Sequence, residues 1–219
     1  MTANQNRIIS NTIDFVKKTL ENAEGGHDWF HIWRVYKNAQ HIAKTESVNN
    51  FEVELAALLH DIADAKFHNG DENLGAQKTE EFLAQQDLDS ESLTHVVNIV
   101  RHVSYKGGHN NLKFNSSELQ VVQDADRLDA IGAIGIARAF NYGGFKNRKI
   151  YDPEVSPTTY ETTEAYRRSD APTINHFYEK LLLLKDQMHT TSARKIAEER
   201  HEFMKNFLAQ FYAEWDGKR

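Results

Sequence analysis

Apolar side chains recur at three- and four-residue steps along most of the chain. This spacing predicts helices over 7–21, 28–46, 51–66, 74–86, 90–104, 116–141, 173–189 and 192–214. Alternating, strand-like runs are scarce, so the pattern reads as an all-α domain. Pro153, Pro157 and Pro172, the three prolines of the chain, fall in one short window beside Gly143-Gly144 and several Ser and Thr. The stretch 143–172 is therefore expected to be a long irregular excursion, and loops of that length in compact domains usually carry function or lack order. No repeat, low-complexity tract or boundary interrupts the remainder. The expectation is a single domain over 1–219, with its helical core over 8–141 and 173–215.

Composition narrows the classes. With 219 residues, 40% hydrophobic and 26% charged, the chain is globular rather than disordered. Its uninterrupted aliphatic runs, such as Leu181 to Leu184, are far too short to span a bilayer. The opening MTANQNRIIS lacks a signal-peptide apolar core. The absence of cysteine removes disulfides, thiolate metal sites and cysteine nucleophiles together. These features make the cytoplasm the expected location. A net charge of -6 without a basic run argues against extended nucleic acid as a partner, but leaves room for a small phosphorylated ligand.

Three stretches carry candidate chemistry. On the helix 51–66, Leu55, Leu58, Leu59 and Ile62 form one side, and His60, Asp61 and Asp64 lie opposite, over Ala57. That polar trio reads either as a solvated face or as a site. Ala56, Ala57 and Ala63 surround it where a solvated helix would carry Lys, Glu or Gln. On the helix 28–46, Ile32, Trp33, Tyr36, Ala39 and Ala43 make one apolar stripe, while His31 aligns with Val35 and Ile42 on another side. A helix apolar on two sides is central, so His31 is expected to be buried, satisfied by a hydrogen bond or by a metal. In "VVQDADRLDAIGAIGIARAF", Val121, Val122, Leu128 and Ile131 supply core contacts around Asp124, Asp126 and Asp129. Gly132 and Gly135 predict close backbone packing there. Acids on such a helix need neutralising, by Arg127 and Arg138 or by a cation. Imidazole nitrogens and carboxylate oxygens together suit a divalent ion, with Mn, Fe, Ni, Co, Mg and Zn all open.

The segments "GHDWFHIWRV", "AALLHDIADAKF", "VVQDADRLDAIGAIGIAR" and "INHFYEKLLLLKD" resemble the HD-domain metal-dependent phosphohydrolases, in particular a small bacterial subgroup acting on nucleotides. The likeness runs from about residue 8 to residue 215. It implies an all-α helical bundle in which His31, His60, Asp61 and Asp126 hold one divalent metal. Asp64 matches the acidic position that aligns the attacking water in several of these hydrolases, or else supports a ligating histidine. Lys66, His102 and Arg127 are candidates for holding phosphate, the alternative being solvated or structural ion pairs. Two-metal relatives insert two further histidines before the last aspartate; His95, His102 and His109 are spaced more tightly than that, which favours one metal. The expected activity is hydrolysis of a phosphate ester or anhydride of a nucleoside phosphate. The alternatives are a phosphodiesterase on cyclic or oligonucleotides, or a non-catalytic sensor of metal and nucleotide. The expected partner is a small phosphorylated molecule, with a homodimer as an option and no membrane. Lys146, Arg148, Lys149, Arg167 and Arg168 make 143–172 a candidate lid over the metal cleft. The charged C-terminal stretch, too short for sustained heptads, is read as helices that complete the core.

Overall fold

The computed structural model describes residues 1–21, 23, 28–63, 73–103, 114–160 and 169–219. Among them are nine α-helices, a 3₁₀ helix and no strand, as the periodicity requires. By their internal contacts the residues group into Met1–Asp126 and Arg127–Arg219.

The first unit contains α1 (Ala3–Thr19), α2 (Trp29–Ala43), α3 (Asn50–Leu59), α4 (Leu74–Leu83) and α5 (Ser90–Val103), and most of α6 (Ser117–Asp129). Helix starts are set by side chains that accept the free N–H groups of the first turn. Thr2 caps α1, Asp28 caps α2 and Asn49 caps α3. At its centre lies α3, against α1, α2 and α5. Every residue from Phe51 to Leu59 is buried, so this helix has no solvated face. Leu55, Leu58 and Leu59 are fully enclosed, and each contributes about 1.5–3 kcal/mol by leaving water. The helix is shorter than 51–66: it ends at Leu59, and His60 forms its C-cap. The cost of this central position is two buried acids, Glu52 and Glu54, which need partners. Glu54 accepts the Tyr36 hydroxyl at 2.7 Å. Burial first, and then this carboxylate, push the Tyr36 phenol well above its usual pKa.

The second unit holds the end of α6, α7 (Gly132–Phe145), α8 (Thr173–Glu179), a 3₁₀ helix (Leu181–Gln187) and α9 (Thr191–Trp215). Phe140, Phe177 and Phe207 meet in its core with ring centroids 5.9–6.1 Å apart. Two long helices expected from periodicity are broken here. The helix read over 116–141 stops at Asp129, runs through an extended Ile131, and restarts at Gly132 with φ 75°. Only glycine takes that left-handed φ without strain, and a Cβ there would lie 2.9 Å from Arg200 Cγ. A Cβ at Gly135 would run into the Ala130 carbonyl, the close backbone packing that glycine predicted. The helix read over 173–189 is broken at Lys180 (φ -145°, ψ -58°).

The irregular excursion begins after Phe145, because Gly143 and Gly144 are helical. Its described residues are fastened to α8. Thr173 N–H and Ile174 N–H donate to the carbonyls of Lys149 and Ile150 at 2.9 and 3.0 Å, and Asn175 donates to Val155 O at 2.9 Å. Arg167 and Arg168 lie outside the described residues.

Candidate metal centre

Three helices of the first unit deliver the candidate ligands. Asp28 accepts the His31 N–H at 2.9 Å, which fixes the first turn of α2 and with it the position of His31. His31 is buried, as its helical surroundings predicted. His60 stands where α3 ends, and Asp126 follows Ala125, whose carbonyl accepts from Asn38 of α2 at 3.2 Å. The His31 and His60 rings meet edge to face, with centroids 5.2 Å apart. Asp126 Oδ1 lies 3.6 Å from His31 Nε2 and 3.9 Å from His60 Nε2. Asp61 Oδ2 lies 3.9 Å from His31 Nε2. Donor atoms, one each from His31, His60 and Asp126, lie within 4.8 Å of one another.

The state of His60 decides what this cluster is for. Its Nδ1 is 2.9 Å from Ala57 O, a group that can only accept, so Nδ1 carries a proton and the neutral ring presents its lone pair on Nε2. That Nε2 is buried and has no hydrogen-bond partner. A buried polar atom left unpaired costs about 1–3 kcal/mol. It points its lone pair toward a histidine and a carboxylate, which is the demand of a cation. Distances agree: two donors each about 2.1 Å from an ion lie ~3.0 Å apart at a right angle and ~4.2 Å apart when opposite. The observed 3.6–3.9 Å separations lie inside that range. The residues therefore fit a divalent ion.

The other expected residues fall elsewhere. Asp64, Lys66 and His109 lie outside the described residues. His102, half-buried on α5, gives its Nδ1 proton to Asn98 O at 2.8 Å and lies against Phe114, outside the cluster of His31, His60 and Asp126. Arg127 follows Asp126 on α6 and belongs to the second unit. Of the neighbouring acids, Asp129 is neutralised by Arg138 at 2.6 Å, one of the two ways the sequence left open. Reading the sequence missed the groups that lace the ligand helices together, among them Glu52, Glu54 and Asn38. An acid flanked on all sides by apolar residues, as in "FEVELAALL", was the available signal.

Residues 29–131, which contain all four candidate ligands, match the HD domain. A crystal structure of an HD-superfamily hydrolase from Bacillus thuringiensis is 44% identical, covers 97% of this chain and 98% of its own, and superposes with a TM-score of 0.78. The chain belongs to the HD superfamily. It is also 39% identical to YpgQ of Bacillus subtilis over 90% of this chain and 88% of YpgQ. The crystal structure of YpgQ in complex with ADP covers 96% of both chains at 36% identity, with a TM-score of 0.77. The protein is thus an all-α HD-domain enzyme, a metal-dependent phosphohydrolase, in which His31, His60 and Asp126 can form a metal site. Among the described residues no helix is long and apolar enough to cross a membrane.

Proposed function

We propose that this HD phosphohydrolase acts on a nucleoside phosphate, cleaving a phosphate ester or anhydride bond with water. The observation that carries the reading is the buried, unpartnered Nε2 of His60, turned toward His31 and the Asp126 carboxylate. The ADP held by the similar YpgQ supports a nucleotide as the ligand class.

In this reading His31, His60, Asp61 and Asp126 hold one divalent ion. When bound, the ion lowers the pKa of a coordinated water and draws off charge that builds on phosphorus. The chain supplies the rest. The water oxygen bonds to phosphorus as the bond from phosphorus to the leaving oxygen breaks. Asp64, three residues beyond Asp61, orients that water and takes its proton. Lys66 and Arg127 meet phosphate oxygens as cations. His102 has its Nδ1 committed to Asn98, so any phosphate contact it makes runs through Nε2.

The test is a phosphate- and pyrophosphate-release screen over nucleoside mono-, di- and triphosphates with Mn²⁺, Mg²⁺, Co²⁺ and Ni²⁺. Metal-dependent release from nucleotides is the expected result. Turnover of cyclic or oligonucleotides alone would assign a phosphodiesterase. Nucleotide binding with no turnover under any metal would assign a sensor.

A further inference from the structure

A second polar cluster lies in the first unit, away from the metal ligands, and it is centred on His95 of α5. His95 Nδ1 donates to the buried Glu52 carboxylate of α3 at 2.7 Å. Its Nε2 faces Ser116 Oγ at 3.1 Å and Glu118 Oε2 of α6 at 3.7 Å. Glu118 also accepts, through Oε1, the backbone N–H of Asn49, the cap of α3, at 3.0 Å. Ser92 of α5 donates to Glu52 at 2.8 Å. The starts of α3 and α6 are thus tied together through one imidazole.

The register of this tie is its significance. Glu52 precedes His60 by eight residues, and Glu118 precedes Asp126 by eight. At 1.5 Å per residue both intervals are about 12 Å. Two helices that are joined at their starts and meet again eight residues later run in the same direction and in step. One rung is Glu52–His95–Glu118, and the other is His60 beside Asp126, 3.9 Å apart. A slip of one residue between the helices would shift these ligands by about 1.5 Å along the axis and rotate them by about 100°.

We infer that His95 is a positioning residue, which sets the register of α3 against α6 so that His60, Asp61 and Asp126 converge on one ion. The inference rests on the proposed ligand set. Ser116, His95 and Glu52 also have the composition of a nucleophilic triad, but they act here as a clamp. Ser116 Oγ also accepts the Leu119 N–H at 3.1 Å, which ties it to the first turn of α6, and the Glu118 carboxylate lies 3.7 Å from the same His95 Nε2.

The experiment is Mn²⁺ titration by calorimetry, together with the visible spectrum of the Co²⁺-loaded protein, for wild type, His95→Ala, His95→Gln, Glu118→Gln and Leu83→Ala. Circular dichroism verifies that each variant is folded. His95→Ala is expected to lose about 10-fold in Mn²⁺ affinity, the lower end of the range for groups that support metal ligands, and to change the Co²⁺ spectrum. His95→Gln, whose amide still donates to Glu52, recovers most of that loss. Glu118→Gln reads the same rung from its other side and loses affinity in the same direction, which keeps the test decisive if His95→Ala does not fold. Leu83→Ala disturbs the core on α4, which bears no ligand, and leaves the affinity and spectrum unchanged. Unchanged affinity in the folded His95 and Glu118 variants overturns the inference, as does an equal loss in Leu83→Ala. Wild type that binds no Mn²⁺ removes the ligand reading itself, and this inference with it.

Discussion

Replacing His60 by leucine separates the two things that this residue does. Without metal, its buried Nε2 is unpaired, at a cost of about 1–3 kcal/mol. Leucine removes that atom and fills similar volume, but forfeits the Nδ1–H bond to Ala57 O, worth about 0.5–1.5 kcal/mol net. The metal-free variant should therefore lie between about 0.5 kcal/mol less stable and about 2.5 kcal/mol more stable than wild type. With metal the order reverses. A ligand present at 100 times its dissociation constant stabilises the folded chain by about 2.7 kcal/mol, and the variant forgoes it. Urea unfolding of both proteins, in EDTA and in excess Mn²⁺, gives all four free energies. Wild type should gain from Mn²⁺ and His60→Leu should not. A metal-free variant destabilised by more than about 2 kcal/mol, or one that still gains from Mn²⁺, would refute the reasoning, because His60 would then be an ordinary satisfied core histidine.

Further outcomes follow from individual groups. Asp64→Asn keeps size and hydrogen bonding but deletes the charge, so turnover should fall about 10²- to 10⁴-fold with Mn²⁺ binding intact, as read by steady-state kinetics beside calorimetry; loss of the metal would make Asp64 a ligand instead. Desolvation first, then the positive charges of Lys180 and Arg148, hold His176 down at about 3. The unfolded chain takes up this proton from about pH 6.5 downward and the folded chain only near 3, so stability is lost as pH falls through that window, by up to ~1.4 kcal/mol per pH unit. Urea midpoints at pH 7, 6 and 5 should fall less steeply in His176→Gln, and identical slopes would contradict the assignment. For 143–172, proposed as a lid, hydrogen exchange with metal present should slow on adding a non-hydrolysable nucleotide; unchanged exchange with nucleotide bound would reduce the segment to a surface excursion.

Much of this was legible from local pattern. Three- and four-residue spacing located the helices, and the two apolar sides of 28–46 correctly buried His31. Small residues around His60 signalled that its face was not solvated, and Ala56 and Ala57 are indeed fully enclosed. Failures came where a distant residue decides local conformation. Periodicity runs smoothly across 116–141, yet Arg200 crosses at Gly132 and donates to Leu128 O, and the helix breaks there. Likewise Glu52 and His95 are 43 residues apart, and no local pattern announces that they meet.

The central claim is that two imidazoles and two carboxylates from α2, α6 and the end of α3 enclose one ion. A crystal structure of the Mn²⁺-loaded protein, with anomalous scattering measured at the manganese edge, tests it most directly. The account predicts one strong peak within about 2.0–2.4 Å of His31 Nε2, His60 Nε2 and one carboxylate oxygen each from Asp61 and Asp126. A loaded site from which any of the four points away, or a peak held by other residues, would contradict it.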